Sequence, residues 1–184
     1  MSSKVEYITS PLNYTGGKSK LLPQIIPLFP SKIETFYDIF CGGCNVGINV
    51  NAQKHVYNDI DTNLINMFSN LSQYNPEEII KRIKGIIKEY NLSDTSTNGY
   101  DYYNCSSSDG LAKVNKDAYI KLRTDFNQLS PEDDDYYFKF YTLIIYAFNN
   151  QIRFNSKGEY NLPIGKRDFN LKMQTKLVKF FSWK

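Results

Sequence analysis

Two short apolar runs, each closed by a polar signal, limit the folds open to this chain more than any other feature. Phe36 to Phe40 opens directly onto Gly42-Gly43, and His55 to Ile60 carries Asp59 near its end, 19 residues after Phe40. Asn45 to Ala52, between them, is expected to start a helix. A buried strand, a glycine turn, a helix and a second strand ending in an acid make the opening of a nucleotide-binding α/β unit. Without a Cβ, Gly42 and Gly43 can take positive φ and let a ligand approach the backbone. They stand at the carboxyl end of the first strand, where open α/β sheets bind ligands. A carboxylate at Asp59 can accept the ribose hydroxyl protons of an adenosine-containing cofactor. A Gly-Gly turn alone also suits a structural turn, and a lone Asp a helix cap. Their joint spacing carries the reading.

Two competing cofactor sites fit less well. Gly16-Gly17-Lys18-Ser19 has the tail of a phosphate-binding loop, but lacks the glycine five residues earlier and an apolar strand before it. Glycines at 42, 43 and 47 do not keep the Gly-x-Gly-x-x-Gly spacing of dinucleotide sites. S-adenosylmethionine has no pyrophosphate to be cradled, so it suits this turn better.

Elsewhere the pattern is mostly helical. Ser19 to Leu28 has helical apolar spacing and is closed by Pro30. Thr62 to Leu71 is expected to be a helix capped by Thr62. In Pro76 to Tyr90, Ile79, Ile80, Ile83, Ile86 and Ile87 fall on one helix face. Ser93 to Asp109 is rich in Ser, Asn, Asp and Gly and reads as a mobile loop. Lys116 to Leu129 and Glu132 to Asn149 read as two further helices. Residues 150–167, two polar-aromatic runs around Ser156-Lys157-Gly158, read as a β-hairpin. Asp168 or Asn170 is expected to cap a last helix with Leu171, Leu177, Val178 and Phe181 inward. It runs to Trp183-Lys184 with no Gly, Pro or polar stop.

Composition narrows the class only slightly. The 184 residues are 41% hydrophobic and 22% charged with a net charge of +3, which suits a globular chain of one domain, or a core with a small insertion. The charge is compatible with nucleic acid without pointing to it. There is no signal-peptide pattern and no apolar run near the roughly 20 residues that span a membrane, so a cytoplasmic protein is expected. Cys41-x-x-Cys44 has zinc spacing, but with Cys105 and His55 as the sole other Cys and His, a four-ligand site is not expected and no metal is assigned.

The motifs taken in order resemble the Dam-like class of adenine-specific DNA methyltransferases. Tyr14-Thr15-Gly16-Gly17-Lys18 matches its opening aromatic, small residue, Gly-Gly-Lys. Asp38-Ile39-Phe40-Cys41-Gly42-Gly43 matches its acid-x-Phe-x-Gly-Gly turn, with Cys44 where a further glycine stands. Asp59 matches its ribose-binding acid. The resemblance implies that Tyr14, Lys18, Asp38, Phe40, Gly42, Gly43 and Asp59 bind S-adenosyl-L-methionine. Phe148 to Lys166 resembles the target-recognition segment. Phe148 stands where the family inserts a ring into the duplex, Asn149 where it contacts the opened pair, and Arg153 where it reads a base. Asn155 and Pro163 belong to the same segment, and Lys166 and Arg167 suit phosphate contacts. Asn13 stands where some members read guanine with lysine. The implied fold is α/β: an incomplete Rossmann-like methyltransferase core with an inserted, mainly helical DNA-recognition subdomain. Its parts would be 1–65 (core, cofactor motifs), 66–167 (recognition, with the hairpin 150–167) and 168–184 (return helix, truncated).

One required part is not present. Adenine's exocyclic amine is a weak nucleophile, and the family activates it with an Asp/Asn-Pro-Pro-aromatic loop. All seven prolines here are isolated, so no catalytic residue is assigned. Two classes remain: a truncated or split site-specific adenine N6-methyltransferase, inactive alone, or a DNA-binding module without methyl transfer. The expected partners are double-stranded DNA and a complementary C-terminal fragment or a second copy, since a two-strand sheet and the face of Leu177, Val178 and Phe181 would leave apolar surface open.

Overall fold

The computed structural model describes residues 5–13 and 16–183. Two parallel strands, β1 (Thr35–Asp38) and β2 (Lys54–Tyr57), pair in register from Thr35 opposite Lys54 to Asp38 opposite Tyr57. Both stop short of the expected ends. Ile39, Phe40 and Asn58 to Ile60 have left the ladder to form the loops above it. The helix expected between the strands is a single 3-10 turn, Gly47–Asn49. The reason lies in its asparagines. Asn45 Oδ1 accepts the Ser10 N–H, and Asn49 takes the N–H of Ile8 and donates back to the Ile8 carbonyl. These amides tie the segment to the N-terminal strand of chain instead of facing solvent from a helix. Upstream, the helical stretch is in three pieces around α1 (Leu22–Ile25), because Pro23 and Pro27 each occupy a first turn, where no N–H is needed.

α2 (Thr62–Leu71) and α3 (Pro76–Tyr90) form where periodicity predicts them. The cap of α2 is Asp61, one residue before the expected Thr62, and its carboxylate accepts the Leu64 N–H. The segment expected as a mobile loop holds α4 (Thr95–Asn98) and a 3-10 turn. It is pinned from several sides. Asp94 caps α4, Tyr146 Oη donates to the Ser93 carbonyl, and the Asn115 amide bonds both the backbone and the hydroxyl of Ser93. Polar composition marks hydrogen bonds within the loop as readily as solvation.

α5 (Ala112–Phe126) and α6 (Tyr136–Tyr146) complete the helical layer, with Glu132 to Asp135 ahead of α6 and outside it. α6 is buried from Phe138 to Ala147 except at Lys139, and packs against α2, α3 and α5. α7 (Leu171–Phe181) packs on α3 and is capped by Asn170, while Asp168 accepts the N–H and hydroxyl of Thr95 instead. The helix stops at Phe181, with Ser182 as its C-cap, and Leu177 is fully buried, so the open face expected there is largely covered. One buried cluster runs from Cys41, Cys44 and Ile48 through the helices to Phe180. An apolar groove of about 820 Å³ stays open between α2, α7 and β2, walled by Ile65, Phe68, Tyr74, Phe181 and Trp183. Among the described residues no helix is long and apolar enough to cross a membrane, and no cluster of His, Cys, Asp or Glu could hold a metal ion.

Candidate cofactor cleft and nucleic-acid face

The loop after β1 closes on itself through the Cys44 N–H, which donates to the Cys41 carbonyl at 2.7 Å. Gly42 and Cys44 both take positive φ, 47° and 60°. Cys44 thus keeps the left-handed backbone that the family's glycine would hold. The loop is fastened to the end of β2 by Asp59, whose Oδ2 accepts the Gly42 N–H at 2.8 Å and whose Oδ1 accepts the Asp61 N–H at 3.1 Å. Each carboxylate oxygen keeps a second lone pair for a ligand. Asp38 accepts the Gly47 N–H at 3.0 Å. Burial pushes its carboxyl above the usual range, with that hydrogen bond opposing and the Asp59 charge adding. The Cys44 thiol, beside Cys41 and buried, is pushed far up and stays protonated. At Gly47 a Cβ would come 2.4 Å from the Tyr57 ring, so a larger residue needs that ring to shift.

A cleft of about 120 Å³ lies over this loop, walled by Lys18, Asp38, Phe40, Gly42, Gly43 and Asp59. Six of the seven cofactor candidates therefore converge, and Tyr14 lies outside the described residues. Lys18 Nζ donates to the Gly16 carbonyl. Two apolar side chains of these loops stand open: Phe40, in the cleft wall, is 84% exposed and Ile60, immediately after Asp59, 96%. The sequence reading missed the cleft-lining Asn45.

The DNA candidates share one ribbon. Beyond α6 the chain turns at Phe148 to Asn150 and returns through the hairpin to run beside itself. The Phe148 N–H donates to the Pro163 carbonyl, the Gly165 N–H to the Tyr146 carbonyl, and Ala147 bridges Ile164 antiparallel. Gly165 is fixed by this approach, because a Cβ would lie 2.4 Å from the Ala147 oxygen. Phe154 bridges Tyr160. Asn155 shapes the turn: its Oδ1 accepts the Lys157 and Glu159 N–H groups and its Nδ2 donates to the Glu159 carboxylate. Exposed Arg153 is steadied by Asn161, through Nε to its side chain at 2.7 Å and Nη2 to its carbonyl at 3.0 Å. Phe148, Asn149, Pro163, Lys166 and Arg167 are exposed.

α5 and α6 carry this ribbon. Tyr119 Oη and Arg123 Nη1 donate to the Leu162 carbonyl, and the Asn127 amide pairs with both backbone groups of Tyr160. The rings of Phe126, Phe140, Phe154 and Tyr160 pack in one cluster. Asn161, Asn127 and Arg123 escaped the sequence reading, because their partners are distant in the chain or on the backbone.

An acid-fastened glycine turn on parallel strands is the cofactor end of an α/β nucleotide-binding unit. Comparison with known proteins gives the family: the family model for the D12 class N6 adenine-specific DNA methyltransferases matches residues 14–184, and the chain belongs to that family. It is 42% identical to the Type II methyltransferase M.FokI of Planomicrobium okeanokoites over 95% of this chain and 24% of that protein. It is 39% identical to the modification methylase StsI of Streptococcus sanguinis over 98% of this chain and 24% of that protein. The DNA adenine methylase of Haemophilus influenzae is 32% identical over 84% of this chain and 46% of its own length. The chain thus spans about a quarter of the first two relatives.

Proposed function

We propose that this chain provides the cofactor-binding and DNA-reading surfaces of a site-specific DNA adenine N6-methyltransferase that uses S-adenosylmethionine. The observation that carries the reading is the bond between Asp59 and the Gly42 N–H, which sets an acceptor carboxylate against a glycine turn in a chain of this family. The residues fit such a cofactor. The free lone pairs of Asp59 suit two ribose hydroxyls, and the exposed faces of Phe40 and Ile60 suit apolar and aromatic parts. Lys18, Asp38, Gly42 and Gly43 complete the walls, and the family's opening motif assigns Tyr14 to the same cofactor. When bound, S-adenosylmethionine supplies an electrophilic methyl group on its sulfonium.

On the DNA side, Asn161 holds two donors of Arg153 and leaves the others for guanine O6 and N7. Phe148 enters the stack, Asn149 meets the opened pair, Asn155 and Pro163 shape the ribbon, and Lys166 and Arg167 contact phosphates. Residues 1–65 then belong to the methyltransferase core, 66–167 to a recognition subdomain and 168–184 to the return helix. The amine-activating loop has no counterpart among these 184 residues, so the chain alone transfers no methyl group. A complementary C-terminal segment that carries this loop, seated in the apolar groove, completes the site in the cytoplasm; a second copy could cover the groove but not supply the loop.

Calorimetry tests the cofactor assignment. Asp59→Ala is expected to weaken S-adenosylmethionine binding by about 1.5–3 kcal/mol, the range for hydrogen bonds to a charged group. Equal affinity of variant and parent would remove Asp59 from the site.

A further inference from the structure

The turn that presents Phe148 contains two consecutive non-glycine residues in the left-handed region, Asn149 at φ 55° and Asn150 at φ 51°. Asparagine tolerates this region better than other residues, but two in succession persist only where the surroundings hold them. The side chain of Asn150 does the holding. The residue is buried, at 4% exposure. Its Nδ2 donates to the carbonyls of Ile144 at 3.0 Å and Ile145 at 2.7 Å, in the last turn of α6. Carbonyls in a last helical turn lack the usual onward partner; the Ile144 carbonyl also accepts the Ala147 N–H, and the Asn150 amide adds a donor to it and to that of Ile145. Two carbonyls facing the Nδ2 also fix the orientation of the amide. Its Oδ1 must point the other way, and there it accepts Asn13 Nδ2 at 2.9 Å. Asn13 stands three residues before Gly16, which lines the cofactor cleft, and is 137 residues from Asn150 in the chain.

We propose that Asn150 is a positioning residue: it locks the 148–150 turn in the form that presents Phe148, and through Asn13 ties that turn to the segment entering the cofactor cleft. The inference rests on the reading above that Phe148 and Asn149 meet DNA. It adds a link between the two faces, made by the side-chain amides of Asn13 and Asn150, and amide exchange reads that link separately from any base contact Asn13 makes.

Two variants separate the lock from folding. Asn13→Ala removes the link at an exposed residue. Asn150→Gly keeps the left-handed backbone without strain and deletes the whole clamp. Amide hydrogen exchange at residues 148–151, thermal midpoint, and duplex affinity as a function of salt are measured on the 184-residue chain. Asn13→Ala should speed exchange at 148–151 and weaken duplex binding by about 3- to 10-fold, the worth of one hydrogen bond. Its thermal midpoint should fall by no more than about 2–4 °C, the cost of that one bond in a chain of this size. The salt slope should not change, since no phosphate contact is lost. Asn150→Gly should go further in the same direction, and Asn13→Gln, which keeps the donor, should recover part of the affinity. Unchanged exchange in both variants overturns the proposal, as does faster exchange with parental affinity. A parent that binds no duplex sinks the DNA reading instead, and exchange alone then upholds or overturns the lock.

Discussion

The cofactor cleft and the DNA ribbon are both built on tight turns in left-handed backbone, yet they are supported very differently. The ribbon lies on the helical core. Tyr160 is buried among the rings of Phe126, Phe140 and Phe154, its backbone is bonded by Asn127 at the end of α5, and Arg123 of α5 bonds the Leu162 carbonyl. The cleft stands on two four-residue strands, and Tyr37, Phe40 and Ile60, in those strands and the loops after them, are exposed. Parallel sheets are normally covered on both faces. The ribbon is therefore held by the packed helices of this chain, while the cleft holds its turn but not all of its walls.

Single substitutions should expose that asymmetry. Tyr160→Ala is expected to have the largest effect, about 3–5 kcal/mol, the range for emptying a buried aromatic site. Phe40→Ala, at an exposed position, should stay within about 0.5 kcal/mol. Denaturant titration of the two variants checks this, and equal losses would break the comparison. Next comes Gly165→Ala, at about 1–3 kcal/mol by overpacking, because its Cβ would strike the Ala147 carbonyl, which is backbone and cannot turn aside. Gly47→Ala should cost less on the cofactor side, since the nearest obstacle is the Tyr57 ring, a side chain that can move.

A smaller effect depends on pH. Burial raises the Asp168 carboxyl above its usual range, the bonds from Thr95 oppose that, and the Asp94 charge adds to it. The folded state therefore keeps this proton to higher pH than the unfolded chain. Its contribution to stability is present below the unfolded value, near pH 3.9, and is lost as pH rises through the folded value. The stability difference between parent and Asp168→Asn should consequently widen on acidification through that window. A difference that narrows on acidification would mean that the Thr95 bonds, not burial, set this group.

Some of this was legible in the sequence and some was not. Helix α3 was readable to the residue, because Ile79, Ile83, Ile86 and Ile87 repeat with the helical period after a proline start. The Gly42–Asp59 pairing was readable because strand and turn lengths fix it. The missing helix after β1 was not, because Asn45 and Asn49 spend their side chains on residues 8–10, a choice that local composition does not record. The pinned 93–109 segment was hidden for a related reason: Ser, Asn and Asp are common both in solvated loops and in loops that bond themselves. Asn127, Asn150 and Asn161 were hidden because each acts on a backbone group or a side chain with no sequence signature of its own.

The most direct test of the DNA-reading claim is selection of the purified chain, parent and Arg153→Ala, on a randomised duplex library, followed by sequencing of what is bound. The account predicts that the parent enriches one adenine-containing site, and that Arg153→Ala loses about 1–3 kcal/mol of preference at a single base pair and keeps the rest. Enrichment of no sequence by the parent, or a uniform loss of binding in Arg153→Ala, would contradict it.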